Sequence, residues 1–482
     1  MLEIANTLNG LIWSTALIIL CVGAGIYFSI ITGFLQVRYL RDMLHYLFTD
    51  SSSPKGVSSF QSFSIALSGR VGTGNITGVA TAITMGGPGA VFWMWAIAFL
   101  GAASAFIEAT LGQIYKSYED GQYRGGPAYY IEKGLGLKWY AVLFAIVTVF
   151  STAFFLPGVQ SNSIAASMNN AFGVPVEYSG LGITLLLAVV IVGGVRRIGK
   201  VAELIVPFMA GGYLLMAIII IVINYQSIPD VFGLIFRSAF GAEQAMSGII
   251  GSAIAWGVKR GIYSNEAGQG TAPHAAAAAE VSHPAKQGLV QAFSVYVDTL
   301  LICTATAFII LFTGQYNVVN PEGGYLVENV PGLEMGTAST QAAVNKHFPA
   351  LGNGFVAIAL LFFVYTTIMA YYYIAETNLA YLLKNRSGKN LIWVLRALIL
   401  FSTFYGSIKT AELAWALGDI GVGMMAWLNL IAIFFLRKPA MKVWRDYQEQ
   451  RKTTSSPIFD PKKLGIPHTE TWEDTHAEQR TS

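Results

Sequence analysis

The sequence predicts an all-α polytopic membrane protein with about eleven transmembrane helices, and three observations carry that expectation. Of 482 residues, 54% are hydrophobic and only 12% are charged, too little charge to cover a soluble globule of this size. Apolar runs near the roughly 20 residues that a bilayer requires recur along the chain. Two of those runs are broken by glycine and polar residues where an ordinary span would carry leucine. One reads Ser68, Gly69, Arg70, Val71, Gly72, Thr73, Gly74, Asn75; the other extends from Trp256 through Asn265 and Glu266 to Gly270. An unpaired backbone group in hydrocarbon costs several kcal/mol, so a break persists only where protein, a polar cavity or a ligand satisfies it. Paired breaks therefore predict a binding site at mid-membrane.

The spans are expected near 11–33, 60–84, 90–115, 140–167, 179–195, 202–223, 242–278, 288–313, 352–383, 390–408 and 412–436. The first has neither a basic n-region nor a clear cleavage site, so it reads as a span rather than a signal peptide. Lysine and arginine crowd alternate connections: Arg38, Arg41 and Lys55; Lys116 to Lys138; Arg196, Arg197 and Lys200; Lys286; Lys384, Arg386 and Lys389; then Arg437 to Arg445. The intervening connections hold Arg237, Lys346 and Lys409. By the positive-inside rule the N-terminus is expected outside and the C-terminal tail in the cytoplasm.

Spans 2 and 7 then cross in opposite directions, with four further helices after each. This is the pattern of a five-plus-five inverted repeat, helices 2–6 (58–223) and 7–11 (242–436), behind one extra N-terminal helix. A single membrane domain is expected over 1–440, followed at 441–482 by a polar, solvated cytoplasmic tail. The stretch 314–351, with Glu322, Glu328 and Glu334 beside Pro321, Pro331 and Pro349, reads either as a packed lid, the favoured reading, or as disorder.

Several functions lose support at this level. A net charge of +3, dispersed over short loops, argues against nucleic acid. Cys21 and Cys303 sit in apolar segments and suggest neither a disulfide nor a metal framework. No HExxH, GxSxG or paired catalytic carboxylate accompanies His274, which argues against an enzyme, and nothing suggests an organic cofactor or an obligate protein partner.

Other residues point to chemistry. Gly72, Gly74 and Gly78 follow no strand and do not match a dinucleotide fingerprint. Gly74 and Gly78 suit close helix packing, yet Thr73 and Asn75 flank the same spot. With carbonyls freed by the break they would form an oxygen-rich nest for a small hard cation. Thr366 and Thr367, midway along span 9, either bond back to their own helix or complete that nest from the second repeat. Gln160 and Asn162, beside Pro157, either bind a substrate or join helices. Arg70, Glu108, Glu203, Lys259, Arg260, Glu266, Asp298 and Glu376 lie in or near spans, where an ionisable group suggests function. Arg70 with Glu108 or Glu376 would make a structural or gating pair.

The segments 68–89 (SGRVGTGNITGVATAITMGGPG), 261–279 (GIYSNEAGQGTAPHAAAAA) and 154–163 (FFLPGVQSNS) resemble the signature regions of the alanine or glycine:cation symporter family. The similarity covers nearly the whole chain. It implies a LeuT-type core of ten helices after one extra helix, and sodium-coupled uptake of small neutral amino acids through the cytoplasmic membrane. By that resemblance, the carbonyls of Ser68 and Val71 with the hydroxyls of Thr366 and Thr367 would bind sodium. Thr73, Gly74 and Asn75 would meet the substrate, Asn75 facing its carboxylate or a second ion, with Gln160, Trp256, Gly257 and Asn265 lining the rest. A proton-coupled permease would put an acidic residue in place of the ion, and the threonine pair favours sodium. An ion channel would need a continuous polar pore. The choice among alanine, glycine, serine and a D-amino acid stays open.

Overall fold

The computed structural model describes residues 2–49, 55–192, 194–243, 248–384, 389–469 and 471–472, without the side chains of 194–196 and 389. Outside the described residues lie Arg386, the side chains of Arg196 and Lys389, 244–247 of the expected seventh span, and 470 and 473–482 of the tail.

The chain opens with α1 (Leu2–Ile12) and α2 (Thr15–Ile31), bent by 42° at the intervening residues. Helix α2 covers most of the expected first span, and α1 stands before it, the helix restarting after extended Ser14. Short α3 (Leu35–Arg38) and α4 (Leu40–Thr49) lead to α5 (Ser59–Arg70), which a capping box of Ser58 and Gln61 starts. A π turn, Gly74–Gly78, joins it to α6 (Val79–Gly86). Then come α7 (Gly89–Ile114), an antiparallel hairpin of β1 (Ser117–Glu119) and β2 (Gln122–Arg124), and α8 (Pro127–Leu135). Next, α9 (Lys138–Phe150) and α10 (Leu156–Phe172) continue through a π turn at Ser151–Phe155. The first half of the chain closes with α11 (Val176–Ile191) and α12 (Gly194–Ile223).

After α13 (Ile228–Ala239), the second interrupted span is α14 (Ile250–Asn265) and α15 (Ala272–Ala278). A π segment, Tyr296–Cys303, joins α16 (Pro284–Val295) to α17 (Thr304–Thr313). The hairpin of β3 (Asn317–Val319) and β4 (Tyr325–Glu328) and α18 (Thr337–His347) follow. The chain proceeds through α19 (Gly352–Leu382), α20 (Lys389–Ser407) and α21 (Ala411–Phe435) to α22 (Arg437–Gln450) and α23 (Pro461–Leu464).

A helix stands at each of the eleven expected positions. Among the described residues, seven are long and apolar enough to cross a bilayer alone, and eight if the bent first pair is one span. The shortfall has physical causes: α5–α6 and α14–α15 are broken, and α11 has only 16 residues.

Helix α7 is the hub. Its buried small residues from Gly101 to Ala105 let α14, α15, α16 and α2 pack closely on it. A Cβ on Gly112 would stand 2.8 Å from the Pro273 carbonyl oxygen. Within 314–351, α18 lies against α17 and α19 and Thr77 bonds Thr337 at 2.6 Å, whereas 321–325 stands exposed.

The tail needs correcting. It is polar in composition but not solvated throughout: Trp444, Tyr447, Phe459 and Trp472 are buried.

Candidate functional site

Helix α5 ends where Val71 leaves helical geometry, at φ −79° and ψ 88°. The carbonyls of Ser68 and Val71 consequently turn toward α19, and Thr367 Oγ1 lies 2.9 and 3.1 Å from them. The same hydroxyl is 2.9 Å from its own Phe363 carbonyl. One hydroxyl proton cannot serve three acceptors, so this buried nest holds more lone pairs than donors, the arrangement that suits a hard cation. Thr366 sits at its edge. Its hydroxyl is 3.0 Å from the Phe363 oxygen and 3.1 Å from that of Phe362, so it bonds back to its own helix while sharing one carbonyl with the nest. Sequence reasoning missed the Phe363 carbonyl, which no side-chain pattern announces.

Directly beside the nest, a Cβ on Gly72 would be 2.5 Å from Thr367 Oγ1 and 2.8 Å from Gln160 Oε1. Glycine is required there by close approach. Thr73 donates its backbone N–H to Gln160 Oε1 at 3.0 Å, and its hydroxyl is buried without a hydrogen-bond partner among the described residues. Gly74 brings the two breaks together, for a Cβ there would lie 3.1 Å from Ser264 Cα. Thr73 and Gln160 therefore meet directly beside the nest, with Gly74 packed on Ser264 and Tyr263.

Asn75 points elsewhere. Its Oδ1 accepts from Gly72 N at 2.8 Å, bracing the break, and its amide donates to Asp298 at 2.6 Å. Ser264 Oγ lies 3.1 and 3.0 Å from the two Asp298 oxygens, and Thr299 Oγ1 is 2.7 Å from one of them. Asp298, on the π segment, is thus wrapped in three neutral donors. Its signal in the sequence was a lone carboxylate in an apolar span.

The second break is held by a different carboxylate. Glu266, Gly268 and Gly270 have φ of +55°, +79° and +86°, and the amides of Gly268 and Gly270 donate to Glu108 at 3.3 and 3.1 Å. Asn429 adds a donor to Glu108 at 2.7 Å. Glu266 accepts from Thr271 at 2.8 Å, and its other oxygen is buried without a hydrogen-bond partner among the described residues. Arg70 bonds Gln291 and Ser294 and lies in the field of Glu266, Glu108 and Asp298. Glu376, its other expected partner, pairs instead with Arg124 at 3.5 Å.

The residues expected along α14 do not all converge beside the nest. Gly257 packs on α7, where a Cβ would meet Trp93 Cβ at 2.5 Å, and Trp256 lies under Arg260 at 5.1 Å. Asn265 caps the break by accepting from Ala267 N at 3.0 Å, leaving its amide nitrogen buried and unpaired. Asn162 bonds the Gly406 and Lys409 carbonyls at 3.1 and 2.6 Å, which makes it a helix-joining residue. Tyr263 packs its ring 4.9 Å from that of Trp415. Beyond it, Arg260 grips Asp419 through both nitrogens at 2.9 and 3.1 Å, and Lys259 joins at 2.8 Å.

A profile of the sodium:alanine symporter family matches residues 1–461. The chain belongs to this family. It is 61% identical, over the full length of both chains, to a putative sodium/proton-dependent alanine carrier protein of Bacillus subtilis. It is 53% identical to the sodium/proton-dependent alanine carrier protein of Bacillus sp. strain PS3, over 90% of this chain and 97% of that one. The fold is similar to that of a Na⁺-coupled sialic acid symporter, with a TM-score of 0.50, 14% identity and coverage of 89% and 87% of the two chains. With the two broken helices, this likeness assigns a LeuT-type architecture, and the family and its relatives are transporters.

Proposed function

We propose that this protein imports a small neutral amino acid, alanine foremost, together with sodium, by alternating access across the cytoplasmic membrane. In this reading the C-terminus is cytoplasmic. The observation that carries it is the oxygen nest of Ser68, Val71, Phe363 and Thr367 at the break of α5, beside Gly72, Thr73 and Gln160. Sodium would take the nest. The Thr73 hydroxyl and the amides of the break would meet the substrate carboxylate, and Gln160 with the ring of Tyr263 would leave room for a small side chain. Alanine also appears in the names of both bacterial relatives.

Asp298 and Glu266 favour a second reading for part of the coupling. With Glu108 they are three buried carboxylates around one buried arginine, Arg70, and uncompensated buried charge is costly. A proton or a second cation would offset it, consistent with relatives named sodium/proton-dependent. Radiolabelled alanine and glycine uptake into proteoliposomes, under an imposed sodium or proton gradient, separates these readings. Sodium coupling predicts accumulation with the sodium gradient alone; accumulation driven only by protons would overturn it.

A further inference from the structure

The C-terminal segment runs back over one end of the broken helices. After α22, Phe459 N donates to the Ser282 carbonyl at 2.9 Å, and Ser282 Oγ donates to the Pro457 carbonyl at 2.7 Å. The Phe459 ring stands 5.8 Å from His283 and 5.1 Å from Trp472. Trp472 Nε1 donates to the Gln113 carbonyl at 2.9 Å, and Thr471 Oγ1 to the Lys116 carbonyl at 3.0 Å. Lys463 and Lys442 anchor the intervening turn on α22, through Asp446 at 3.3 Å and the Leu464 carbonyl at 3.1 Å.

What the segment grips is the joint between the two interrupted spans. The chain leaving α15 pairs with the chain entering α5: Val57 N donates to Ala278 O, and Glu280 N to Val57 O, each at 2.9 Å. Lys116 ties that joint to the segment, its Nζ lying 3.2 Å from the Ala279 carbonyl and 4.6 Å from the Trp472 ring. Meanwhile α22 continues directly from α21, which packs on α9 and α10. The segment therefore links the elements carrying the breaks to the helices they must move against. This inference rests on the alternating-access reading, in which one end of α5 and α15 has to separate from its surroundings.

We propose that residues 457–469 with Thr471 and Trp472 are a strap that holds this end of the broken helices closed, and that undocking of Phe459 and Trp472 is a step in opening it. A merely stabilising tail would also bury aromatic rings, so the test reads the joint rather than overall stability. In full-length protein carrying Phe459→Ala and Trp472→Ala, amide hydrogen exchange at 272–283 and 55–60 should rise at least tenfold, with α19 and α21 unchanged. Unchanged exchange at the joint, although the strap itself exchanges freely, overturns the proposal. A locked form guards against misfolding of that variant: Ser282→Cys with Pro457→Cys, once oxidised, should slow exchange at 272–283. The same protein should lose alanine uptake at least tenfold and regain it on reduction. Equal exchange in its oxidised and reduced forms also overturns the strap. If exchange behaves as expected but the reduced protein moves no alanine, the failure lies with the transport reading instead.

Discussion

At the scale of single residues, the two threonines of α19 separate cleanly. Thr367 reaches across to Ser68 and Val71, whereas Thr366 spends its hydroxyl on the carbonyls of its own turn. Thr367→Val keeps the shape and removes a ligand, so the sodium concentration for half-maximal uptake should rise roughly ten- to a hundredfold. That range corresponds to about 1.5–3 kcal/mol, the strength of a hydrogen bond to a charged group. Thr366→Val should change it by less than about threefold; equal effects would mean that both hydroxyls turn into the nest. Asn75 makes a second residue-scale case. Because its amide bonds Asp298 and its oxygen braces Gly72, Asn75→Ala should lower thermal stability and weaken ion dependence together. A pure change in substrate affinity, with stability intact, would place Asn75 against the substrate after all.

The breaks are the informative elements, and the two were not equally legible. For α5 the glycines at 72 and 74 marked the true loss of helix, while Ser68, Val71, Thr366 and Thr367 were pointed to by the family resemblance. For α14 the expected break ran from Trp256 to Gly270, but its first part to Asn265 is helix, in which Gly257 and Gly261 serve close packing on α7. The chain actually turns at Glu266, Gly268 and Gly270, where φ is positive. Glycine count alone cannot distinguish a packing surface from a left-handed backbone, and the distinction depends on what lies opposite. What lies opposite the second break is Glu108, which satisfies two of its amides. Glu108→Ala should leave those amides without partners, at about 1–3 kcal/mol each, and a fall in melting temperature of the purified protein would register it. Glu108→Gln should recover part of the loss; a melting temperature equal to the parent's in both variants would remove Glu108 from that role.

For the whole molecule, hydropathy and charge alternation outlined the fold because a bilayer constrains every span in the same way. Composition misled at the tail, where a few aromatic residues among many polar ones decide the packing and an average conceals them. Long-range ion pairs were equally invisible: Arg260 and Asp419 are 159 residues apart and meet only through the packing of α14 and α21. Asp419→Ala leaves Arg260 and Lys259 without their common anion in a buried site, which costs roughly 3–5 kcal/mol. Reduced yield of folded protein and a lower melting temperature should follow, whereas an unchanged melting curve would show that water or lipid reaches the cluster.

The central claim is that the nest at the α5 break holds the coupling sodium next to the amino acid. Equilibrium binding of radioactive sodium to the purified protein, with and without alanine, tests it most directly. Linkage requires that each ligand tighten the other by the same factor. The account predicts saturable sodium binding that alanine strengthens and that Thr367→Val abolishes or greatly weakens. Sodium binding indifferent to both alanine and Thr367→Val would contradict it.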